Sequence, residues 1–555
     1  MRGMMMDVPL RTEMFLDHAA DAAGDVEVVA REIDGALLRR TWRETRTRAL
    51  KLAAALEALG LKRGERVGAL AWNTMECLEL FYGVPGMGGV LHTINPRLYD
   101  DQLVYIANHA EDAWLAFDEE TAELVRRLAP RLETVRGYLF LGPRERLPEG
   151  LDLPRVAFHD EIVEAAEPLA DWRGGDERDA AMICYTSGTT GNPKGVVYSH
   201  KGLFVTTLSM MVGDAISDYR SGVREVFMPM APLFHGGGWL TPFSAPLMGA
   251  KLVLPGRDYA PEALYSLMED EGVTVCFGVP TIWMIVVNWM QAQGRRFSAL
   301  RATVMSGSKP PRALQETLLK EFGVQPMQGW GMTETLGSSR FALKGGLAGI
   351  DDEARLDVYQ FAGRRNVGVK YRIVDDEGRD LPHDGEARGH LLVRGPVVAS
   401  GYLKVGEATG EAPGEERDWL DTGDIAILHP DGYIEIADRS KDVIKSGGEW
   451  ISSVELENAA MGHPGIAEAA VIAVAHPKWQ ERPLLVCARR PGSTVTGEDV
   501  VAFLRGRVAD WWLPDAVEFL DELPRTGTGK IWKLKIRDLF EDYALPETAS
   551  GRRMA

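Results

Sequence analysis

Cysteine is scarce: the 555 residues include four, Cys77, Cys184, Cys276 and Cys487. They lie far apart and form no Cys-x-x-Cys pair. This excludes a disulfide framework or a cysteine-built zinc site and reads as reduced thiols of a cytoplasmic protein. Positive charge is also in deficit. Lys and Arg number 62 against 81 Asp and Glu, a formal charge of −19, so a broad electrostatic fit to nucleic acid or anionic lipid is excluded and any polyanion must be met by a local pocket. Long apolar runs are missing as well. Before Asp7 there is only a short methionine cluster, too little for the apolar region of a signal peptide. The nearest approach to a transmembrane span, Val273 to Met290, is uncharged but interrupted by Gly278, Pro280 and Asn288. It reads as a buried strand over 273–279, a turn at Pro280, and a buried helix from Ile282. His235-Gly-Gly-Gly-Trp239 looks like a lipase oxyanion motif, but no Gly-x-Ser-x-Gly elbow accompanies it, so serine hydrolysis is set aside.

What is present is a globular composition, 45% hydrophobic and 26% charged, enough to bury more than one core. Thr41 and Glu44 form a capping-box pattern ahead of a leucine-rich helix that Gly60 is placed to end. A strand over 67–72 follows, and Thr74 can cap the next helix. The same rhythm recurs around 113–117 and 252–255, which predicts an α/β fold: a large N-terminal domain of helix-covered, mostly parallel sheets. From about Val367 closely spaced strands with turn signals (369–374, 390–393, 433–436) predict a small antiparallel, barrel-like subdomain. The charged run Asp438-Arg-Ser-Lys-Asp442 then reads as a hinge, dividing residues 1–440 from a smaller, mobile α+β domain over 441–555.

The most informative segment is Tyr185-Thr-Ser-Gly-Thr-Thr-Gly-Asn-Pro-Lys-Gly-Val196. Its glycines let backbone N–H groups approach an anion, its hydroxyls donate to phosphate oxygens or ligate a cation, and Lys194 adds a fixed charge. The spacing is not that of a Walker A loop. In Gly329-Trp330-Gly331 an aromatic between glycines can offer a flat face to a purine. Thr333 and Glu334 place a hydroxyl and a hard carboxylate beside it, and the Asp424 carboxylate can accept from ribose hydroxyls.

Together with Trp419–Asp424, Asp438–Lys445 and Pro524–Lys530, these runs resemble in order and spacing the adenylate-forming superfamily, which includes acyl-CoA synthetases, firefly-type luciferases and peptide-synthetase adenylation domains. The resemblance covers roughly residues 30 to 540. It implies ATP, Mg²⁺ and coenzyme A as cofactors and co-substrates, and a two-step reaction. A carboxylate attacks the α-phosphorus of ATP to give an acyl-adenylate and pyrophosphate, and a thiol then displaces AMP. Thr186, Ser187, Gly188, Thr189, Thr190 and Lys194 would surround the phosphates. Gly307, Ser308, Gly329, Trp330 and Thr333 would hold the remaining nucleotide, with Asp424 and Arg439 at the ribose. Thr186 and Glu334 would ligate Mg²⁺ and Lys530 would be the catalytic lysine. His235 and Trp239 would border the acyl pocket, Trp239 as a tunnel gate, although a plain core tryptophan is an equal reading. Lys441 would be the hinge pivot, and Lys445, Ser446, Gly447, Gly448 and Trp450 would face CoA.

Within the superfamily the runs Val90–Pro96, Lys445–Ser453 and His476–Pro483 are most similar to medium- and long-chain fatty-acyl-CoA synthetases and methylthiopropionate-CoA ligases. The alternatives are an adenylating enzyme that passes its acyl group to a carrier protein, an aryl-acid ligase, a luciferase-like oxygenase and a catalytically dead sensor. A homodimer without nucleic-acid partners is the expected assembly. Two positions depart from the pattern. Trp330 stands where many members have tyrosine, and Lys309 replaces a residue usually small, reading either as a solvated lysine or as the partner of a second carboxylate or a polar tail on the substrate.

Overall fold

The computed structural model describes residues 3–186, 192–211, 224–340, 349–404, 419–447, 449–525 and 531–545. Two seven-stranded sheets form the large N-terminal part. In spatial order the first runs Gln325–Gln328, Ala302–Met305, Val275–Gly278, Val226–Pro229, Lys251–Leu254, Glu27–Arg31, Leu37–Thr41. It is parallel except for its last pair. The second runs Val156–Phe158, Gly137–Phe140, Asp112–Phe117, Arg66–Leu70, Val90–Thr93, Ala180–Tyr185, Gly195–Ser199, again parallel up to an antiparallel edge. Strands such as Asp112–Phe117 and Val90–Thr93 are buried along their whole length, because helices cover both faces. The uncharged run resolves into the expected strand, Val275–Gly278, and a helix, Pro280–Gln293, that begins at Pro280 where a turn was expected, because a proline in the first helical turn loses no hydrogen bond by its missing N–H. Among the described residues no helix is long and apolar enough to cross a membrane.

The helix Trp42–Ala58 begins with the expected Thr41–Glu44 capping box, and Trp42 buries its indole in the core, Nε1–H donating to the Ala250 carbonyl at 2.9 Å. Thr74 caps the helix Met75–Gly86, accepting from the Cys77 N–H.

The barrel-like stretch is a four-stranded antiparallel sheet, Lys370–Val374, Arg388–Arg394, Leu420–Leu428, Ile434–Arg439 in order. Its edge strands do not pair with each other among the described residues, so the sheet is open there. The longest strand, Leu420–Leu428, carries Asp424 and has no alternation to announce it, since Asp-Thr-Gly-Asp occupies its first half. Beyond it, Ile444–Ser446, Glu449–Ile451, Gln480–Arg489, Ile466–His476 and Ala516–Leu520 make a separate five-stranded sheet with its own core. Lys441 lies in the turn between the two sheets. That turn is anchored by Arg537, which donates to the Lys441 carbonyl at 3.2 Å and pairs with Asp442, and by Asp438, whose carboxylate accepts from the Ser453 N–H (2.6 Å) and Oγ (3.0 Å).

A buried charge network ties the first helices to the second sheet. Glu79 and His159 are fully buried; Arg48 Nε lies 2.8 Å from Glu79 Oε1, Arg40 pairs with the same carboxylate, and His159 Nε2 lies 3.1 Å from Glu79 Oε2. Burial alone would push the His159 imidazole down, but the Asp160 and Glu79 carboxylates outweigh it and hold the group at about 9. A folded-state value raised above the ordinary 6.5 stabilises the fold fully below that pH and is lost as pH rises through about 9. The advantage in Tm of the wild type over His159→Gln should therefore be largest near pH 6 and shrink toward pH 10, on the order of those two limits. A constant gap in thermal melts across that range would mean that the ring only fills space.

Candidate active site

Parallel pairing sets the site. Met305 faces Gln328 and Phe277 faces Val304 in adjacent parallel strands, so the segments after them leave the first sheet at its carboxyl edge, where α/β folds place ligands. Gly307-Ser308 follows one strand and Gly329–Thr335 the next. Gly307 has φ +89°, a left-handed turn that favours glycine. The loop bearing His235 and Trp239 follows Val226–Pro229 at the same edge. The phosphate-loop stems come from the second sheet. Tyr185 and Gly195 pair across the antiparallel edge, the Thr186 N–H donates to the Lys194 carbonyl at 2.9 Å, and the Lys194 N–H to Thr186 Oγ1 at 3.2 Å. Ser187, Gly188, Thr189 and Thr190 lie outside the described residues, as do Lys530 and Gly448.

The two edges are stitched together by tyrosines. Tyr198 donates its hydroxyl to the Thr333 carbonyl, and Tyr402 donates to Glu334 Oε1 at 2.7 Å. Glu334 is 6% exposed. Tyr185 packs flat on Gly195, where an added Cβ would come within 2.9 Å of its ring, and its hydroxyl lies 2.7 Å from His109 Nδ1.

At the other end of the cluster Trp330 Nε1–H donates to Asp424 Oδ2 at 3.0 Å, and Arg439 Nε lies 2.9 Å from Asp424 Oδ1. Asp424 is thus a buried carboxylate with each oxygen already oriented by a donor. The tryptophan that replaces the usual tyrosine supplies a donor of its own, which its sequence neighbours could not show because Asp424 is 94 residues away. Its ring meets Tyr371 edge-on, with centroids 6.0 Å apart.

Trp239 is 1% exposed, donates from Nε1 to the Leu233 carbonyl at 3.0 Å, and packs edge-on against Tyr198 with ring centroids 5.0 Å apart. Lys309 is not solvated. Its side chain is 9% exposed and its ammonium lies 3.0 Å from Glu435, so the carboxylate it finds belongs to the protein. Of the residues expected to face CoA, Lys445 and Trp450 lie beside the four-stranded sheet and Ser446 within the five-stranded one. Lys445 Nζ lies 3.7 Å from Asp376, the Trp450 ring 5.8 Å from that of His390, and buried Ser446 accepts from Arg482 at 3.3 Å. Gly447 takes a left-handed φ of +63°.

Tyr402, Tyr198, His109 and Glu435 were not singled out by sequence reasoning. Each acts across a long separation, 68 residues for Tyr402 and Glu334, and no local pattern marks them. The cysteines take no part in this chemistry. All four are free and buried, and burial raises their thiols, Cys184 to about 11, so they stay protonated. Among the described residues no group of three or more His, Cys, Asp and Glu could hold a metal on its own. The Glu334 carboxylate and the Thr186 hydroxyl are hard oxygen donors, the ligand chemistry that suits Mg²⁺.

Aromatic, acidic and loop groups gathered at the carboxyl edge of a parallel sheet are the arrangement of a nucleotide-binding α/β enzyme. Residues 16–403 match the model of the AMP-binding enzyme family and residues 455–530 that of the AMP-binding enzyme C-terminal domain, and the chain belongs to this family. It is 42% identical over 546 residues to the 3-methylmercaptopropionyl-CoA ligase of Ruegeria lacuscaerulensis, covering 98% of this chain and 99% of the relative. It is also 42% identical over 544 residues to the long-chain-fatty-acid–CoA ligase of Thermus thermophilus, covering 97% of each. The crystal structure of the anthranilate CoA ligase AuaEII with anthranoyl-AMP superposes with a TM-score of 0.81 at 25% identity, covering 96% of this chain and 98% of that one.

The Trp330–Asp424 bond can be tested directly. Trp330→Phe keeps an aromatic face but removes the donor, and calorimetric ATP affinity should fall about tenfold, the worth of a hydrogen bond to a charged acceptor. Unchanged affinity would mean that the indole N–H serves only packing.

Proposed function

We propose that the chain is an AMP-forming, ATP-dependent carboxylic acid:CoA ligase, and that the clustered residues carry the roles their motifs suggest. The observation that carries this is the convergence of Thr186, Lys194, Trp330, Glu334, Asp424 and Arg439, from two sheets and a third, around one edge, tied by Tyr198 and Tyr402. In the first half-reaction Trp330 stacks on adenine, and Asp424, oriented by Trp330 and Arg439, accepts from the ribose hydroxyls. Lys194 and the loop hydroxyls hold the phosphates. Thr186 and Glu334 would hold Mg²⁺, which supplies charge neutralisation on the phosphates. Lys530 brings a further cation to the α-phosphate, where the acid's carboxylate oxygen attacks and pyrophosphate leaves. In the second, the thiolate sulfur attacks the acyl carbon, and AMP departs with the mixed-anhydride oxygen.

The acid proposed is aliphatic, a fatty acid or a thioether acid of the 3-methylmercaptopropionate kind. His235 and Trp239 border its path with Trp239 as its gate, a reading supported by the buried indole held by the Leu233 carbonyl. Domains meeting at residues 440 and 441, rotation about Lys441 that carries Lys445–Gly448 and Trp450 toward CoA, assembly as a homodimer and a cytoplasmic location belong to the same proposal. Buried, protonated thiols favour that location, and sedimentation tests the assembly.

A panel of straight-chain and thioether acids, assayed for pyrophosphate and thioester release, tests the activity. Release of pyrophosphate without thioester in the presence of CoA would turn the proposal toward a carrier-protein acceptor. Lys530→Ala should slow adenylate formation by about 10²-fold or more while preformed acyl-AMP and CoA still give thioester near the wild-type rate. Equal loss of both half-reactions would overturn the role assigned to this lysine. Trp239→Ala should raise kcat/KM for longer acids relative to short ones and leave ATP affinity unchanged, because the cavity it opens lies beside the acyl path. An unchanged chain-length profile would return Trp239 to core packing.

A further inference from the structure

Five residues, Ala399 to Leu403, join the two halves of the candidate site at three points. The Ala399 N–H donates to the Glu334 carbonyl at 2.8 Å, the Tyr402 hydroxyl to Glu334 Oε1 at 2.7 Å, and the Leu403 N–H to the Gly195 carbonyl at 2.8 Å. Gly195 directly follows Lys194, whose ammonium lies 4.9 Å from the centroid of the Tyr402 ring. One half-buried tyrosine therefore touches both the cation at the end of the phosphate loop and the carboxylate of the Gly-Met-Thr-Glu motif. Its ring faces Lys194 and its hydroxyl meets Glu334.

Two physical consequences follow. A carboxylate that is 6% exposed has lost most of its water, and a buried carboxylate with one oxygen committed to an O–H donor is both compensated and fixed in rotation. An ionised carboxylate only accepts, so the phenol must donate, and Oε1 is spoken for while the other oxygen remains for a ligand. Second, Lys194 and Glu334 carry opposite charges and both touch the same tyrosine, one at the ring and one at the hydroxyl. Lys194 rests on the aromatic face, a weak cation–π attraction that a polyphosphate can readily outcompete.

We propose that Tyr402 is a positioning residue for the nucleotide–metal complex: it orients Glu334 for the cation and keeps Lys194 from pairing with it, so that both charges are available when ATP arrives. This rests on the reading of Glu334 as a cation ligand and adds the residue that sets its geometry. Tyr402 is assigned no contact with substrate.

The test separates the two limbs by chemistry. Tyr402→Phe keeps the face for Lys194 and removes the hydroxyl; Tyr402→Leu removes both. ATP affinity is measured by calorimetry in EDTA and across a Mg²⁺ series, and Mn²⁺ binding in the presence of ATP by electron paramagnetic resonance. For Tyr402→Phe the expected result is metal-free ATP affinity within about twofold of wild type, with the Mg²⁺ concentration for half-maximal enhancement raised about tenfold and Mn²⁺ affinity reduced to match. Tyr402→Leu should in addition weaken metal-free ATP binding, as Lys194 collapses onto Glu334. Glu334→Gln should abolish the metal enhancement, and Glu334→Gln with Tyr402→Phe should behave as Glu334→Gln alone, since the hydroxyl acts only through the carboxylate. A Tyr402→Phe protein with wild-type metal dependence, or additive losses in the double variant, would overturn the proposal and leave Tyr402 a packing residue. A wild type whose ATP affinity ignores metal would overturn the assignment of Glu334 itself, and that outcome is visible before any tyrosine variant is made.

Discussion

Parallel pairing of Ala302–Met305 with Gln325–Gln328, Met305 opposite Gln328, makes two chain segments leave the first sheet side by side, and the placement of Gly307, Ser308, Gly329, Trp330, Thr333 and Glu334 depends on it. One residue of slip would exchange buried and site-facing positions along a strand. Here the register is held because both faces of the strand Ala302–Met305 are buried under helices. The second sheet repeats the device with a different ending. Its parallel run closes in an antiparallel edge, Ala180–Tyr185 with Gly195–Ser199, so that the phosphate loop is a long hairpin connection whose stems are fixed by the ladder. The first sheet supplies aromatic and acidic groups on short loops, and the second supplies a hydroxyl-rich, lysine-bearing loop.

The chain is strongly acidic overall, yet its basic side chains are spent on particular internal carboxylates. Arg482 is buried with Asp515 at 2.9 Å, Arg40 and Arg48 serve Glu79, Lys309 serves Glu435, and Arg439 serves Asp424. Pairs of this kind are costly to break, because removing one partner strands a desolvated charge. They add specificity of arrangement more than net stability, and here they fix where strands from different sheets meet. Asp424 shows the same arrangement at the candidate site, a buried carboxylate held by Trp330 and Arg439.

The two parts of the chain meet through polar contacts. Asp438 at the end of the four-stranded sheet bonds Ser453, Arg537 clasps the turn at Lys441 and Asp442, and Lys445 and Trp450 lie against Asp376 and His390. The exposed contact of Lys445 with Asp376 can be exchanged for water at modest cost, whereas the Asp438–Ser453 bonds are buried.

Much of this was legible in the sequence because its causes are local. The capping box at Thr41, the helix stop at Gly60, the parallel-sheet rhythm and the antiparallel turns after Val367 are all set by neighbours within a few residues. Motifs whose glycines and hydroxyls must be contiguous to cradle a phosphate are legible for the same reason. The strand carrying Asp424 was not, because its polar first half hides the alternation. Tertiary structure alone decided that Trp330 would donate to Asp424, that Lys309 would find Glu435 rather than solvent, that Trp239 would be fully buried, and that Tyr402 would stand between Lys194 and Glu334. Each of these joins residues far apart in the chain, and a hydrogen bond or ion pair depends on a few tenths of an ångström that only the packing of whole sheets fixes.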